Sequence, residues 1–245
     1  DDGPVVITET ASIERRDKVY RDFLSSLYLF PGHKEDLLRR GLTGWEIRKN
    51  CYRSVPEKPW SICKRLIDMG HDLSGIPGFF KATGPHGGTY WTFERKPGYL
   101  IPVRDEKGRI QALQRRMEYA HNGKYMLFSG HKNRSGCSCG TPAHVVRPAE
   151  IKDKRVWITE GPLKSDIASK YLGAVVIGAM SAATWCPVVQ VIQTLGTEEA
   201  VIAYDSDVET NLEVRRAYSS LKAELKKQGI VVSRALWEGV KGIDD

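Results

Sequence analysis

The sequence predicts an α/β chain in two parts. Residues 1–150 read as an α+β segment carrying a basic antiparallel sheet, and residues 151–245 as a mostly parallel, Rossmann-like sheet with helices on both faces. Three observations predict this. Apolar residues first recur at helical spacing, short strand-like runs separated by turn residues follow, and beyond Lys154 apolar runs alternate with helical stretches.

Between Ile13 and Leu29, the spacing of Val19, Phe23, Leu24 and Leu27 puts them on one face of a core-facing helix. Pro31-Gly32 is expected to break it, and a second helix runs from His33 to Arg40, where Gly41 ends it. Thr43 and Glu46 have capping-box spacing: the hydroxyl satisfies an exposed amide while the carboxylate reaches back, starting a third helix to about Asn50. Trp60 to Met69 predicts another short helix, and the Gly- and Pro-rich stretch Gly70–Gly88 predicts turns.

From Thr89 the strand-like runs are Tyr90–Phe93, Tyr99–Val103, Ile110–Leu113 and Tyr125–Phe128, with turns at Lys96-Pro97-Gly98 and Asp105–Gly108. Many intervening residues are basic: Arg104, Arg109, Arg115, Arg116, Lys124, Lys132 and Arg134. Past the boundary near residue 150, Val156–Ile158, Ala174–Ile177, Ala200–Tyr204 and Ile230–Val232 alternate with helical Leu163–Leu172, Pro187–Leu195 and Val214–Gln228. That alternation predicts a parallel sheet.

Hydrophobic residues at 41% and charged residues at 27% exclude a fibrous or disordered chain. A net charge of +7 with 37 Lys and Arg favours a polyanionic partner, although a merely soluble basic surface has the same signature. No run approaches the roughly 18 apolar residues that span a bilayer, and no charged-then-apolar leader opens the chain, so a cytoplasmic protein without a membrane partner is expected. The start at Asp1 and the stop at Asp245, where a motif finishes, read as a piece excised from a longer protein.

Five irregularly spaced cysteines do not make a disulfide framework and fit a reducing compartment. Cys137-Ser138-Cys139, with His131 and His144 nearby, lacks C-x2-C spacing. Free thiols in a glycine-rich loop are therefore expected, and no zinc. Cys51, Cys63 and Cys186 sit among apolar neighbours and are expected in the core.

In parallel α/β sheets, ligands gather beyond the carboxyl ends of the strands, where loops converge. Glu160 follows the strand Val156–Ile158, and Gly161-Pro162 lets the chain turn into a helix. Asp205 and Asp207 follow Val201–Tyr204, and one residue between them puts both carboxylates on the same side of an extended segment. Singly, each acid has a structural reading, as a helix-start cap or a loop residue bonding its own backbone. Together they would repel unless a divalent cation neutralised them, and oxygen-only ligands favour Mg²⁺ or Mn²⁺ over zinc.

Thr159-Glu160-Gly161-Pro162-Leu163-Lys164 and Asp205-Ser206-Asp207 resemble the Glu-Gly and Asp-x-Asp signatures of the Toprim fold, shared by bacterial primases, type IA and type II topoisomerases and some nucleases. Ile101–Asp105 through Gly108-Arg109-Ile110, then Arg116 and Lys124-Tyr125, is similar to the segment preceding Toprim in bacterial DnaG-type primases, where a basic sheet guides template and primer. Arg40–Thr43, with Ile47 following, resembles the helices that open the same core. The resemblance runs from about residue 20 to 245 and is closer to primase-like replication proteins of phages, plasmids and integrative elements than to the housekeeping enzyme.

This resemblance implies template-directed synthesis of short primers on single-stranded DNA from nucleoside triphosphates, with a replicative helicase as partner, in trans or in the same polypeptide. It implies catalytic roles for Glu160, Asp205 and Asp207, and Mg²⁺ or Mn²⁺ held by these and Asp244. Glu160 is either a ligand or a proton acceptor, and residue type does not decide between them. Arg104, Arg109, Arg116, Lys124, Lys132 and Lys164 would contact phosphates, while Trp91, Tyr99 and Tyr125 are expected to pack in the sheet rather than stack on bases. Two departures stand out: Lys164 and Gly242 occupy positions where the family carries acids. A Toprim nuclease and a catalytically silent DNA-binding module of a replication initiator are the competing readings.

Overall fold

The computed structural model describes residues 8–119, 123–237 and 242–243. Ser12 accepts the Arg15 N–H and so caps α1 (Ile13–Ser25), which buries Val19, Tyr20, Phe23 and Leu24. The helix stops short of the expected Leu29, because the Ser25 and Ser26 hydroxyls bond back to the Asp22 carbonyl and the chain leaves the axis there. Pro31 starts α2 (Pro31–Arg39) where a break was expected: proline at the first helical position loses no intrahelical bond. The capping box forms as expected, with the Thr43 N–H donating to Glu46 Oε2 at 2.6 Å and the Glu46 N–H to Thr43 Oγ1 at 3.2 Å, and opens α3 (Gly44–Lys49).

A two-residue strand, β1 (Arg53–Ser54), precedes α4 (Pro59–Asp68). Within the stretch expected to be all turn lies β2 (Phe79–Thr83), paired antiparallel with β3 (Thr89–Phe93) from Phe79 opposite Phe93 to Thr83 opposite Thr89. β4 (Gly98–Arg104), β5 (Ile110–Met117) and β6 (Tyr125–Leu127) complete a four-stranded sheet in the order β1-β4-β5-β6. β1 pairs antiparallel with β4, and β6 with β5.

The described residues up to Pro102, with Arg109–Gly140, form one compact unit; Val103–Gly108 and the described residues from Thr141 form the other. The first is organised by four phenylalanine rings, Phe23, Phe79, Phe93 and Phe128, with centroids 5.2–5.8 Å apart and mostly edge-to-face. Arg115, counted by the sequence among the basic residues of the sheet, is 2% exposed. Its guanidinium lies 5.5 Å from the Phe128 ring centroid and donates to the Glu94 carbonyl at 2.9 Å, and burial lowers its pKa to about 10. It belongs to the core.

In the second unit, β7 (His144–Val146), β8 (Asp153–Glu160), β9 (Ala174–Ala179), β10 (Glu199–Ile202) and β11 (Val231–Arg234) form a sheet in the order β11-β10-β8-β9-β7. All neighbours are parallel except edge strand β7, which lies ahead of residue 151 in the chain and pairs antiparallel with β9. The crossovers are α5 (Pro162–Leu172), α6 (Cys186–Leu195) and α7 (Leu212–Lys227). Right-handed connection puts α5 on one face; the step back across β8 puts α6 and α7 on the other, where they touch. Val188, Ile192, Leu221 and Leu225 close that side of the core over Ile158, Ile177 and Ile202.

All five cysteines are free thiols. Cys63, Cys137 and Cys139 are buried, and burial pushes the Cys63 thiol up to about 12. Two expected core cysteines are not buried: Cys186 heads α6 in an exposed position, and Cys51 sits half-buried just past α3, in left-handed backbone at φ 62°. Apolar sequence neighbours do not guarantee burial where a helix begins or ends.

Gly78 has φ +97°, and a Cβ there would lie 2.0 Å from the Phe128 ring. Gly78→Ala is therefore expected to cost about 3 kcal/mol in urea unfolding, combining overpacking with backbone strain. An unchanged midpoint would show that the aromatic cluster has room to spare.

Candidate active site

The connection leaving β8 runs through α5 to β9, and that leaving β10 runs through α7 to β11 on the opposite side of the sheet. Between two strands whose connections diverge, a crevice opens at the carboxyl ends. Glu160 is the last residue of β8, and Asp205 lies just beyond β10, so both occupy this place.

Local backbone fixes Glu160. Gly161 adopts φ +83°, and its N–H donates to the Ala179 carbonyl at 2.6 Å, while Pro162 begins α5. Gly178 on β9 permits the close approach: a Cβ there would meet Ser165 Oγ at 2.3 Å and the Gly161 carbonyl at 2.9 Å. Glu160 Oε2 accepts the Ala182 N–H at 3.2 Å. Burial raises the Glu160 pKa and Asp205 raises it further, with a smaller push from Asp207, while the Ala182 N–H and Lys164 act the other way. The three acids therefore share one electrostatic environment.

Asp205 and Asp207 do not lie side by side on an extended segment. The chain turns directly into a 3-10 turn (Ser206–Val208), in which the Asp205 carbonyl accepts the Val208 N–H at 3.1 Å. At three residues per turn, a step of two rotates a side chain by about 240°. Asp207 is exposed, and its carbonyl takes the Asn211 N–H at 2.7 Å, ahead of α7. Asp205 is instead engaged by Lys164, whose Nζ donates to Asp205 Oδ1; the two side chains are 17% and 18% exposed. Gly242 is part of this arrangement, since a Cβ there would lie 2.3 Å from Asp205 Oδ1 and 3.1 Å from Lys164 Nζ. Asp244 lies outside the described residues.

Asp166, two residues along α5, is occupied elsewhere. His144 Nδ1 accepts the Arg104 N–H at 2.9 Å, so Nε2 carries the proton and donates to Asp166 Oδ1 at 3.2 Å. This buried pair, invisible in the sequence, ties β7 and α5 to the segment at Arg104.

The basic residues divide into two kinds. Arg104 donates to the Gly108 carbonyl at 3.3 Å, Arg109 pairs with Glu14, and Arg116 pairs with Asp36. The Tyr99 hydroxyl joins the last pair, 3.0 Å from Asp36 and 3.2 Å from Arg116, with its ring buried as expected of a sheet residue. Lys124 and Lys132 are exposed, as is Tyr125. Trp91 is half-buried and, with Trp60, Ile67 and Tyr90, lines an open apolar groove of about 700 Å³ that the sequence reading missed. No periodic signal marks it, because its residues come from a helix and a hairpin.

The residues fit a hard divalent cation in donor chemistry, since Glu160, Asp205 and Asp207 offer only oxygens. The fit is incomplete in geometry: among the described residues no three acid, histidine or cysteine side chains converge as a ligand set, and Lys164 already holds one Asp205 oxygen.

Because the Glu160 pKa is raised in the folded chain, its ionised form opposes folding. The contribution of this one group is then most favourable below the ordinary carboxyl range and is lost as pH rises through its folded value. Glu160→Gln is expected to raise the melting temperature by a few degrees near pH 7.5 in chelator-treated buffer and to have no effect near pH 4. A variant less stable at the higher pH would contradict the electrostatic account.

A profile of a family described as a domain of unknown function (DUF3854) matches residues 150–245. No curated protein sequence matches the chain. The fold is similar to that of the Aquifex aeolicus primase crystallised with its zinc-binding and RNA polymerase domains: TM-score 0.68, 18% identity, over 96% of this chain and 58% of that one. The RNA polymerase domain of the Mycobacterium tuberculosis primase DnaG matches at TM-score 0.65 and 15% identity, over 95% of this chain and 79% of that one. A DnaG primase catalytic domain bound to single-stranded DNA matches at TM-score 0.61 and 17% identity, over 94% and 73%. The chain thus spans little more than half of the Aquifex structure and, along nearly its whole length, has the fold of a DnaG primase catalytic core.

Proposed function

We propose that this chain is the catalytic core of a primase that synthesises short primers on single-stranded DNA from nucleoside triphosphates. The observation that carries this reading is the meeting of Glu160 and Asp205 at the carboxyl ends of β8 and β10, in a fold shared with primase catalytic cores. In the transfer, a 3′-hydroxyl oxygen attacks the α-phosphorus of the incoming nucleotide, and the bond to pyrophosphate breaks. Glu160, Asp205 and Asp207 are the acids of the site, with Asp244 beside them in the sequence motif. Mg²⁺ or Mn²⁺ held by this cluster would offset charge on the triphosphate and on the leaving group. The raised pKa of Glu160 suits it to take the hydroxyl proton.

Exposed Lys124 and Lys132 supply sequence-tolerant phosphate contacts to the template. Arg104, Arg109 and Arg116 have internal partners, and their first contribution is to hold the sheet and its turns. The setting is a cytoplasmic replication apparatus of a phage, plasmid or integrative element, with a replicative helicase as partner. A second reading, a catalytically silent DNA-binding module of a replication initiator, draws support from the Lys164–Asp205 pair, which occupies a carboxylate of the acid cluster.

Incubation with single-stranded templates, labelled nucleotides and Mg²⁺ or Mn²⁺ separates the two. Primer synthesis is expected, falling at least about 100-fold in Glu160→Gln while template affinity stays within about twofold. Lys124→Ala is expected to weaken template binding and reduce its salt slope by about one unit, leaving turnover of saturating substrate unchanged. Tight binding without primers under all conditions would establish the silent module.

A further inference from the structure

We propose that the apolar groove between α4 and the β2–β3 hairpin is a stacking site for unpaired bases of single-stranded DNA. The inference rests on the template-binding part of the reading above and is independent of Glu160 and of primer synthesis.

The groove follows from the elements that wall it, all within the first unit. On α4, Cys63 and Leu66 turn into the core, while Trp60, Lys64 and Ile67, at steps of four and three, line up along the groove. On β3, Phe93 enters the phenylalanine core, and Trp91, two residues back on the same face of the strand, reaches the margin of that core and lines the groove. The hairpin turn, closed by the Gly84 N–H on the Gly88 carbonyl at 2.7 Å, brings Pro85 to the same opening. At about 700 Å³ the space lies within the range of small-ligand sites.

The wall is chiefly aromatic, and Trp60 and Tyr90 are 53% and 45% exposed. Rings left in water offer flat faces on which a base gains by stacking, whatever its identity. Charge selects among flat ligands. The two charged residues described on the wall, Lys64 and Asp68, offset each other by pairing at 3.0 Å. The excess is positive and lies along β2. Lys81 Nζ sits 5.3 Å from the Trp91 ring centroid. The Lys81 N–H donates to the Arg134 carbonyl at 2.9 Å, which brings exposed Arg134 and, two residues before it, exposed Lys132 alongside the hairpin. An aromatic floor flanked by cations matches a strand that turns its bases one way and its phosphates the other. A duplex does not fit, because its base faces are already stacked on one another.

The test is binding of a fluorescent oligothymidylate to the whole chain in chelator and without nucleotide, followed by anisotropy. Wild type is expected to bind it, Trp60→Ala to bind at least about fivefold more weakly, and Trp60→Phe to restore most of the affinity. On an abasic oligomer of equal length, wild type and Trp60→Ala are expected to bind alike, since the phosphates remain and the stacking partners do not. Trp45→Ala, which removes a comparably exposed indole on α3, is the control and should match wild type. Should Trp60→Ala fail to fold, ultraviolet crosslinking of an iodouracil oligomer to the wild-type chain decides the matter, with adducts expected on Trp60, Tyr90 or Trp91. Unchanged affinity in a folded Trp60→Ala protein, an equal loss on the abasic oligomer, or crosslinks confined to other segments would overturn the proposal. So would self-association of the chain that Trp60→Ala abolishes while DNA binding is retained, which would assign the groove to a second copy. Wild-type binding that Lys124→Ala weakens and Trp60→Ala leaves intact would remove the groove alone and keep the template reading; absence of any binding would remove both.

Discussion

Like charges brought together by sheet topology are the constraint around which the second unit is arranged. The order β11-β10-β8-β9-β7 makes the chain diverge at the ends of β8 and β10, and this places Glu160 and Asp205 at the carboxyl ends of adjacent strands. Neither residue is in a comfortable position: Glu160 is half-buried within electrostatic reach of another acid, and Asp205 is drawn from solvent. Such repulsion persists in a folded protein only when something offsets it, and here the offsets are visible as the Ala182 N–H and the Lys164 ammonium. Gly161 and Gly178 matter for the same reason, since they let α5 start close enough to deliver Lys164.

The first unit solves a different problem, that of placing a strongly basic sequence on a small core. Part of its positive charge is internal: Arg115 lies over Phe128, and Arg116 is locked to Asp36 beside Tyr99. These arginines act through geometry, their planar heads bridging a carboxylate or carbonyl and an aromatic face. Net charge therefore overstates the surface available to a polyanion. Lys124 and Lys132, by contrast, stand exposed to solvent.

What the sequence made legible followed strong local rules. The capping box at Thr43 and Glu46, the alternation from β8 to β11 and the position of acids at strand ends all rest on short-range patterns with one structural solution. Misreadings came where two local rules compete. Pro31 was read as a breaker when it is also a helix starter, and β2 is masked by the surrounding Gly and Pro. Burial of Arg115 breaks the inside–outside alternation of β5, and no pattern within a strand announces that. At the site, Lys164 and Gly242 were legible as departures from a family pattern. That they meet at Asp205 was not, because three segments far apart in the chain must be folded before the contact exists.

The primase reading proposed above stands on Glu160 and Asp205, at the carboxyl ends of β8 and β10, serving a divalent cation. Anomalous diffraction from crystals of the chain soaked in Mn²⁺ tests this directly. The expected result is anomalous density beside the Glu160 and Asp205 carboxylates. No anomalous density within coordination distance of either carboxylate would contradict it.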